Sequence, residues 1–266
     1  MSVRVGIGGW TYPEWRGSFY PDKWPQKREL DYAASKLTAI EINGTFYSRF
    51  KPASFANWAN SVPDGFVFSL KASRYCTNRK VLADAGEAIA GFVEQGIVEL
   101  GDRLGPILWQ MAATKRFDAD DFGAFLKLLP ASHAGVGLRH AVQVRHESFR
   151  DPAFVALCRA AGVAIVHADA AAYPAIADVS GDFVYVRLEN AVEDEVAGYS
   201  AAALDTWAVH ARDWAAGGSP DPVSLLAEPA AKAPRDVFVF FINGAKIRAP
   251  HGAMALIERI KDEGKS

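Results

Sequence analysis

The chain has 266 residues, half of them hydrophobic, and 29 Lys and Arg against 31 Asp and Glu leave a formal net charge of -2. That balance argues against a general binder of nucleic acid or anionic membrane, whose surface would be basic overall. The length is close to the roughly 250 residues of a single (β/α)8 barrel, and no run of about 18 apolar residues offers a membrane span.

Two further features bound the setting. Cys76 and Cys158 lie far apart, with no CxxC pair and no metal-ligand spacing, which suits a reduced, cytoplasmic protein. An apolar run already begins at Val3, so no signal peptide is expected. The densest basic cluster, Lys23, Lys27 and Arg28 around Pro25, reads as a solvated loop.

In chain order, Val3–Gly8 has the length and composition of a strand. Residues 9–21 are too rich in Gly, Pro and aromatics for a helix and form a long loop at the mouth of the fold. A helix is expected over Glu29–Leu37, a strand over Ala39–Asn43, and a second helix near Ala53–Asn60 with Pro52 in its first turn. Phe66–Lys71 is the third strand. The next helix spans Leu82–Val98 and stops before Gly101 and Gly105. The fourth strand is Pro106–Gln110. It precedes a helix over Ala119–Leu129 that has Asp118 as N-cap and Phe122, Phe125, Leu126 and Leu129 on one face.

Ala141–Arg145 is the fifth strand, and Asp151-Pro152 opens the fifth helix. After the sixth strand, Val163–Asp169, the interval to Gly181 leaves room for a small helix or none. Phe183–Arg187 and a helix over Ala201–Ala215 follow, then a Pro- and Gly-rich loop to Asp236. Val237–Asn243 is the eighth strand, with a last helix from Ala249 to about Lys261, and residues 263–266 are expected to fray. Eight strands alternating with helices define an α/β protein, a (β/α)8 TIM-barrel-like fold, as one domain over residues 1–266. In such a barrel the site lies at the C-terminal ends of the strands.

Side chains alternate along a strand, so the polar set of each strand is assigned to the lumen and the apolar set to the helix layer. This places Glu41 and Asn43, Ser69 and Lys71, Leu108 and Gln110, Gln143 and Arg145 inside. It also places inside His167 and Asp169 against Val166, then Tyr185, Arg187 and Glu189, and finally Val239, Phe241 and Asn243. The polar ones converge on the C-terminal mouth, in greater number than a barrel needs for structure.

Lys71, Arg145 and Arg187 outnumber Glu41 and Asp169, which favours an anionic ligand. Asn43, Gln110 and Asn243 can bond hydroxyls or carbonyls, and Trp10, Tyr12, Trp15, Phe46 and Tyr47 can stack on a sugar or base or simply pack the rim. Glu41 and Asp169 are candidates for general acid/base work, with ion pairing to Arg145 or Lys71 as the equal alternative. Lys71 is an anion anchor, or a Schiff-base former if its pKa is depressed. His146 orients a loop or serves as an acid. A metal site needs about three His, Asp or Glu; His167, Asp169 and Glu41 are too few for a multi-zinc nuclease and the neighbouring cations disfavour a metal, so no metal ligands are assigned and the cofactor is left unknown, with a metal as the less favoured alternative.

Gly8-Gly9-Trp10-Thr11-Tyr12, with Trp15-Arg16-Gly17-Ser18-Phe19-Tyr20-Pro21, resembles the opening of the YecE-like family, domain of unknown function 72. Glu41-Ile42-Asn43-Gly44-Thr45-Phe46-Tyr47 is similar to its E-I-N-x-T-F-Y motif. The likeness continues through Phe66–Lys71, Leu104–Gln110, Arg145–Phe149, Tyr185–Arg187 and Phe240–Asn243. It implies a TIM-barrel-like fold and carries no activity with it. Five positions depart from the pattern that the resemblance implies: Asn78 and Glu189 for histidines, Met111 for a proline, Gln143 for an acid and Ile242 for an asparagine.

The residues together point to an enzyme acting on a small anionic metabolite, phosphorylated or acidic and sugar-like, by general acid/base chemistry. Isomerase, lyase and hydrolase stay open. A nucleic-acid-processing barrel and a non-catalytic small-ligand binder are the alternatives. The first of these requires a basic track beside the mouth that the overall composition does not reveal.

Overall fold

In the computed structural model of the chain, which describes residues 2–220, 223 and 225–262, the apolar runs become eight parallel strands. They are β1 (Val3–Gly8), β2 (Ala39–Ile42), β3 (Val67–Lys71), β4 (Leu104–Gln110), β5 (His140–Gln143), β6 (Ala164–Asp169), β7 (Phe183–Leu188) and β8 (Asp236–Phe241). Each pairs with the next, and β8 closes on β1 from Val3↔Val237 to Ile7↔Phe241. Closure leaves no barrel strand with an unpaired edge.

The helices form the outer layer: α1 (Glu29–Lys36), α2 (Gly44–Tyr47), α3 (Pro52–Asn60), α4 (Arg74–Thr77), α5 (Gly86–Val93), α6 (Ala119–Lys127), α7 (Pro152–Ala161), α8 (Ala201–Ala215) and α9 (Ala249–Asp262). Their starts follow the sequence signals. The Asp118 carboxylate accepts from the Asp121 N–H at 3.0 Å, and Asp151 accepts from the Ala153 N–H at 2.8 Å with Pro152 behind it.

Two segments differ from the sequence expectation, whereas residues 170–181, read as a small helix or none, form no helix. The long third helix is split into a 3-10 turn (Leu82–Ala85), α5 and a 3-10 stretch (Ile97–Arg103). Gly96 breaks it with a φ of 107°, packed so closely on Pro52 that a Cβ would lie 2.7 Å from the proline. Residues 132–137 fold into a two-stranded ribbon that the sequence did not signal. The short helices α2 and α4 were also unforeseen, and both sit on the mouth. Residues 263–266, expected to fray, lie outside the described residues.

The apolar core has two layers. Ile40, Ile42, Phe68, Leu70, Trp109 and Val142 pack outward against helix residues such as Phe122, Phe125 and Trp214. Ala39, Val67, Leu108, Ala141, Phe183, Tyr185 and Phe238 fill the lumen. The assigned phases hold for β2, β3, β4, β5 and β7 and fail for two strands.

On β6 it is Ala164 and Val166 that face the lumen, while the His167 ring lies outside, 5.8 and 5.7 Å from the rings of Trp207 and Trp214 of α8. On β8 it is Phe238, Phe240 and Ile242 that face inward, with Val239 and Phe241 outward. Both cysteines are buried and unpaired. Among the described residues no helix is long and apolar enough to cross a membrane.

Candidate functional site

The C-terminal half of the lumen is an ionic network stacked in two tiers. In the lower tier Glu41, fully buried at the end of β2, meets Arg187 of β7 through two hydrogen bonds. Arg187 Nε donates to Oε2 at 3.1 Å and Nη2 to Oε1 at 3.0 Å. The Tyr185 hydroxyl donates to Glu41 Oε2 at 2.7 Å and lies 2.7 Å from Ser69 Oγ, which reaches the Pro106 carbonyl at 2.8 Å. Burial pushes the Glu41 carboxyl up, but the Arg187 charge and the bonds from Arg187 and Tyr185 hold it below its usual value. Glu41 is an ionised floor and does not line the cavity above it.

The third Arg187 nitrogen, Nη1, donates to Gln143 Oε1 at 2.5 Å and Glu189 Oε1 at 2.6 Å, and Gln143 Nε2 donates to Glu189 Oε1 at 3.0 Å. Gln110 Nε2 donates to Gln143 Oε1 at 2.6 Å. This contact explains two of the departures from the pattern the resemblance implies. The resemblance implies an acid at position 143 and a histidine at 189; here the carboxylate stands at Glu189, touches Gln143 and serves Arg187.

Above this floor opens a cavity of about 320 Å³. Tyr12, Asn43, Tyr47, Lys71, Gln110, Arg145, Arg187 and Asn243 line it, together with Gly8, Phe46, Ile242 and Lys246. Its lining contains four cations and no carboxylate. Lys71 Nζ lies 4.2 Å from the centre of the Phe46 ring, and among the described residues it has no hydrogen bond or ion pair. Burial and the neighbouring Arg187 and Arg145 outweigh Glu41 and Glu189 and bring its pKa down to about 8. Arg145 stacks 4.4 Å over the Tyr173 ring and reaches Glu189 Oε2 at 3.7 Å, and its buried Nε has no partner among the described residues.

Lys246 was missed in the sequence. It stands three residues after Asn243 in the loop that follows β8, where Gly244-Ala245-Lys246 matches no phosphate motif. Tertiary contacts place it: buried Trp15 donates from Nε1 to the Lys246 carbonyl at 2.8 Å, and Nζ sits 3.9 Å from the centre of the Tyr12 ring. The aromatic opening segment is thus a bracket for a cation on the opposite end of the chain.

Three expected site residues are elsewhere. Asp169, at the end of the outward phase of β6, accepts from Asn190 Nδ2 at 2.8 Å and from the Tyr199 hydroxyl at 2.9 Å, tying down the loop after β7. His146 caps the turn Glu147–Phe149, its Nδ1 accepting from the Ser148 N–H at 3.1 Å, and so orients a loop. Trp10 packs edge-on against Trp58 with ring centres 5.5 Å apart, in an adjacent depression and outside the cavity lining. Among the described residues no three His, Cys, Asp or Glu side chains come together as a metal site.

The fold and site define a (β/α)8 barrel with a cation-lined mouth over an internal ion-pair floor. The model of the family described as protein of unknown function DUF72 matches residues 4–266, and the chain belongs to that family. The barrel is similar to that of a DUF72 family protein (TM1631) from Thermotoga maritima. The TM-score is 0.76 at 20% identity, covering 98% of this chain and 100% of that one. Two structures of a DUF72 family protein (EF0366) from Enterococcus faecalis are similar with TM-scores of 0.69 and 0.67. Their identities are 15% and 16%, with 97% and 96% of this chain and 95% and 96% of those chains covered. At these identities the likeness is one of fold. No curated protein matches the chain.

Proposed function

We propose that the mouth is the active site of an enzyme acting on a small anionic metabolite, phosphorylated or acidic and sugar-like. The observation that carries this reading is a lining without a carboxylate in which Lys71, Arg145 and Lys246 are left short of partners among the described residues, the two acids buried beneath being engaged by Arg187. Arg145 and Lys246 hold the anion. Asn43, Gln110 and Asn243 bond its hydroxyls, and the Tyr12 and Tyr47 rings flank it. Of the four expected acid/base residues only Lys71 lines the cavity, so Lys71 moves the proton. A group titrating near 8 exchanges protons readily at neutral pH. An arriving anion raises that pKa and holds the amine in its protonated, acid form. The unpaired buried thiols support a reducing, cytoplasmic setting.

The test is thermal unfolding with inorganic phosphate and a panel of sugar phosphates and sugar acids. A ligand at about 100 times its Kd adds roughly 2.7 kcal/mol, a rise of roughly 5–10 °C for a chain of this size. Arg145→Ala and Lys246→Ala should abolish the rise. An equal rise in both variants, or none with any anion in the native protein, refutes the reading.

A further inference from the structure

Charge is segregated around the rim of the barrel. The loops after β2, β3 and β4 carry Arg49 and Lys51, then Arg74, Arg79 and Lys80, then Lys115 and Arg116. Residues 43–51, 72–81 and 111–117 contain no Asp or Glu. The loop after β7, residues 189–200, is the reverse, with Glu189, Glu193, Asp194 and Glu195 and no Lys or Arg. A net charge of -2 conceals this because it sums over the whole chain, where acids outside the basic arc outweigh it.

The basic arc is also a continuous path. Tyr47 lines both the central cavity and a depression of about 410 Å³ that includes Arg49, Tyr75 and Arg79. Arg79 in turn lines a further depression of about 650 Å³ with Lys80, Lys115 and Arg116. Lys115 is committed to Asp121 at 2.6 Å, and Glu87 borders the first depression, so the free charge rests on Arg49, Arg79, Lys80 and Arg116. Among the described residues Arg79 bonds only backbone, from Nε to the Tyr75 carbonyl at 2.5 Å and from Nη1 to the Asp84 carbonyl at 3.0 Å, and no carboxylate pairs with it.

Two aromatic rings along the path are largely exposed, Tyr47 edge-on to Phe46 and Tyr75 with the Arg74 guanidinium 5.3 Å from its ring centre. Tyr47 is 64% and Tyr75 62% exposed, among the largest exposures of any big apolar side chain here. Cations spaced along a groove with exposed rings between them match the requirements of a flexible polyanion bearing flat bases. A paired duplex keeps its base faces stacked and offers nothing to such rings.

We infer that this path binds single-stranded nucleic acid, with phosphates on Arg49, Arg79, Lys80 and Arg116 and unpaired bases on Tyr47 and Tyr75. The inference goes beyond the small-anion reading of the cavity, and either can fail alone.

Fluorescence anisotropy of a short labelled oligothymidylate tests it with the whole chain. Binding is expected at low salt, falling with salt by about 0.7 in log–log slope for each phosphate neutralised. Lys80→Ala with Arg116→Ala, both exposed, should lower that slope by about 1.4 and weaken binding roughly tenfold. Tyr75→Ala should weaken it by a further factor of roughly ten. Both variants should melt like the native protein and keep phosphate binding in the cavity. No binding at low salt overturns the inference. So does binding that ignores Tyr75→Ala and is matched by heparin or by phosphatidylserine vesicles, because that marks a general polyanion surface.

Discussion

The floor and the wall of the mouth use the same side chains to opposite ends. On the floor every nitrogen of Arg187 is engaged by Glu41, Gln143 or Glu189, and the residue is 1% exposed. On the wall, among the described residues, the Lys71 and Lys246 amines lie over the rings of Phe46 and Tyr12 and make no hydrogen bond or ion pair, and Arg145 reaches one carboxylate at 3.7 Å. A buried charge whose partners are complete is structure. A charge left short of partners beside a cavity is capacity for a ligand.

Removing a floor charge should have the largest effect on stability. Arg187→Met leaves two buried carboxylates without their cation and should cost about 3–5 kcal/mol in denaturant unfolding. Stability close to native would mean that the floor is not the locked element described here. Next comes Tyr185→Phe, which removes a hydroxyl hydrogen-bonded to the ionised Glu41. A loss of about 1.5–3 kcal/mol is expected, with phosphate binding retained.

Lys71→Met sharpens the contrast through pH. Because the folded amine titrates near 8 and the unfolded one near 10.5, the unfolded chain holds more protons between those values. Stability of the native protein therefore gains a contribution as pH rises through that window, and the variant should lack it. Over the same rise the native protein loses the Lys71 charge, so its affinity for phosphate should fall past about pH 8, while the variant's weaker affinity stays flat. The smallest stability change belongs to the wall: Lys246→Ala should melt near the native temperature and still lose anion binding. A variant that unfolds early would assign Lys246 to the floor class.

Much of this was legible in local sequence. The strands of β2, β3, β5 and β7 alternate apolar and polar residues, and one face of each had to meet the helix layer. That placed Glu41, Lys71, Arg145 and Arg187 together at the mouth. β8 carries no such alternation: Val237 to Ile242 is apolar on both faces, and counting back from Asn243 gave the wrong phase. Asn243 still reaches the cavity because the strand ends at Phe241 and the chain turns. β6 misled for a different reason. Polarity alone points His167 and Asp169 to the lumen, but Trp207 and Trp214 on α8 supply His167 with an aromatic seat outside, and Asp169 follows on the same phase.

The sequence by itself determined the alternation of strands and helices, the caps that start α6 and α7, and most of the side chains that face the mouth. These depend on periodicity and on contacts within a few residues. Only the tertiary structure decided that Glu41 and Arg187 neutralise each other, that Lys246 joins the cavity through Trp15, and that Asp169 is turned away. It alone also brought the basic loops after β2, β3 and β4 into one arc. Each of these pairs groups from separate stretches of the chain, and closing the barrel is what sets their distances and the dielectric between them.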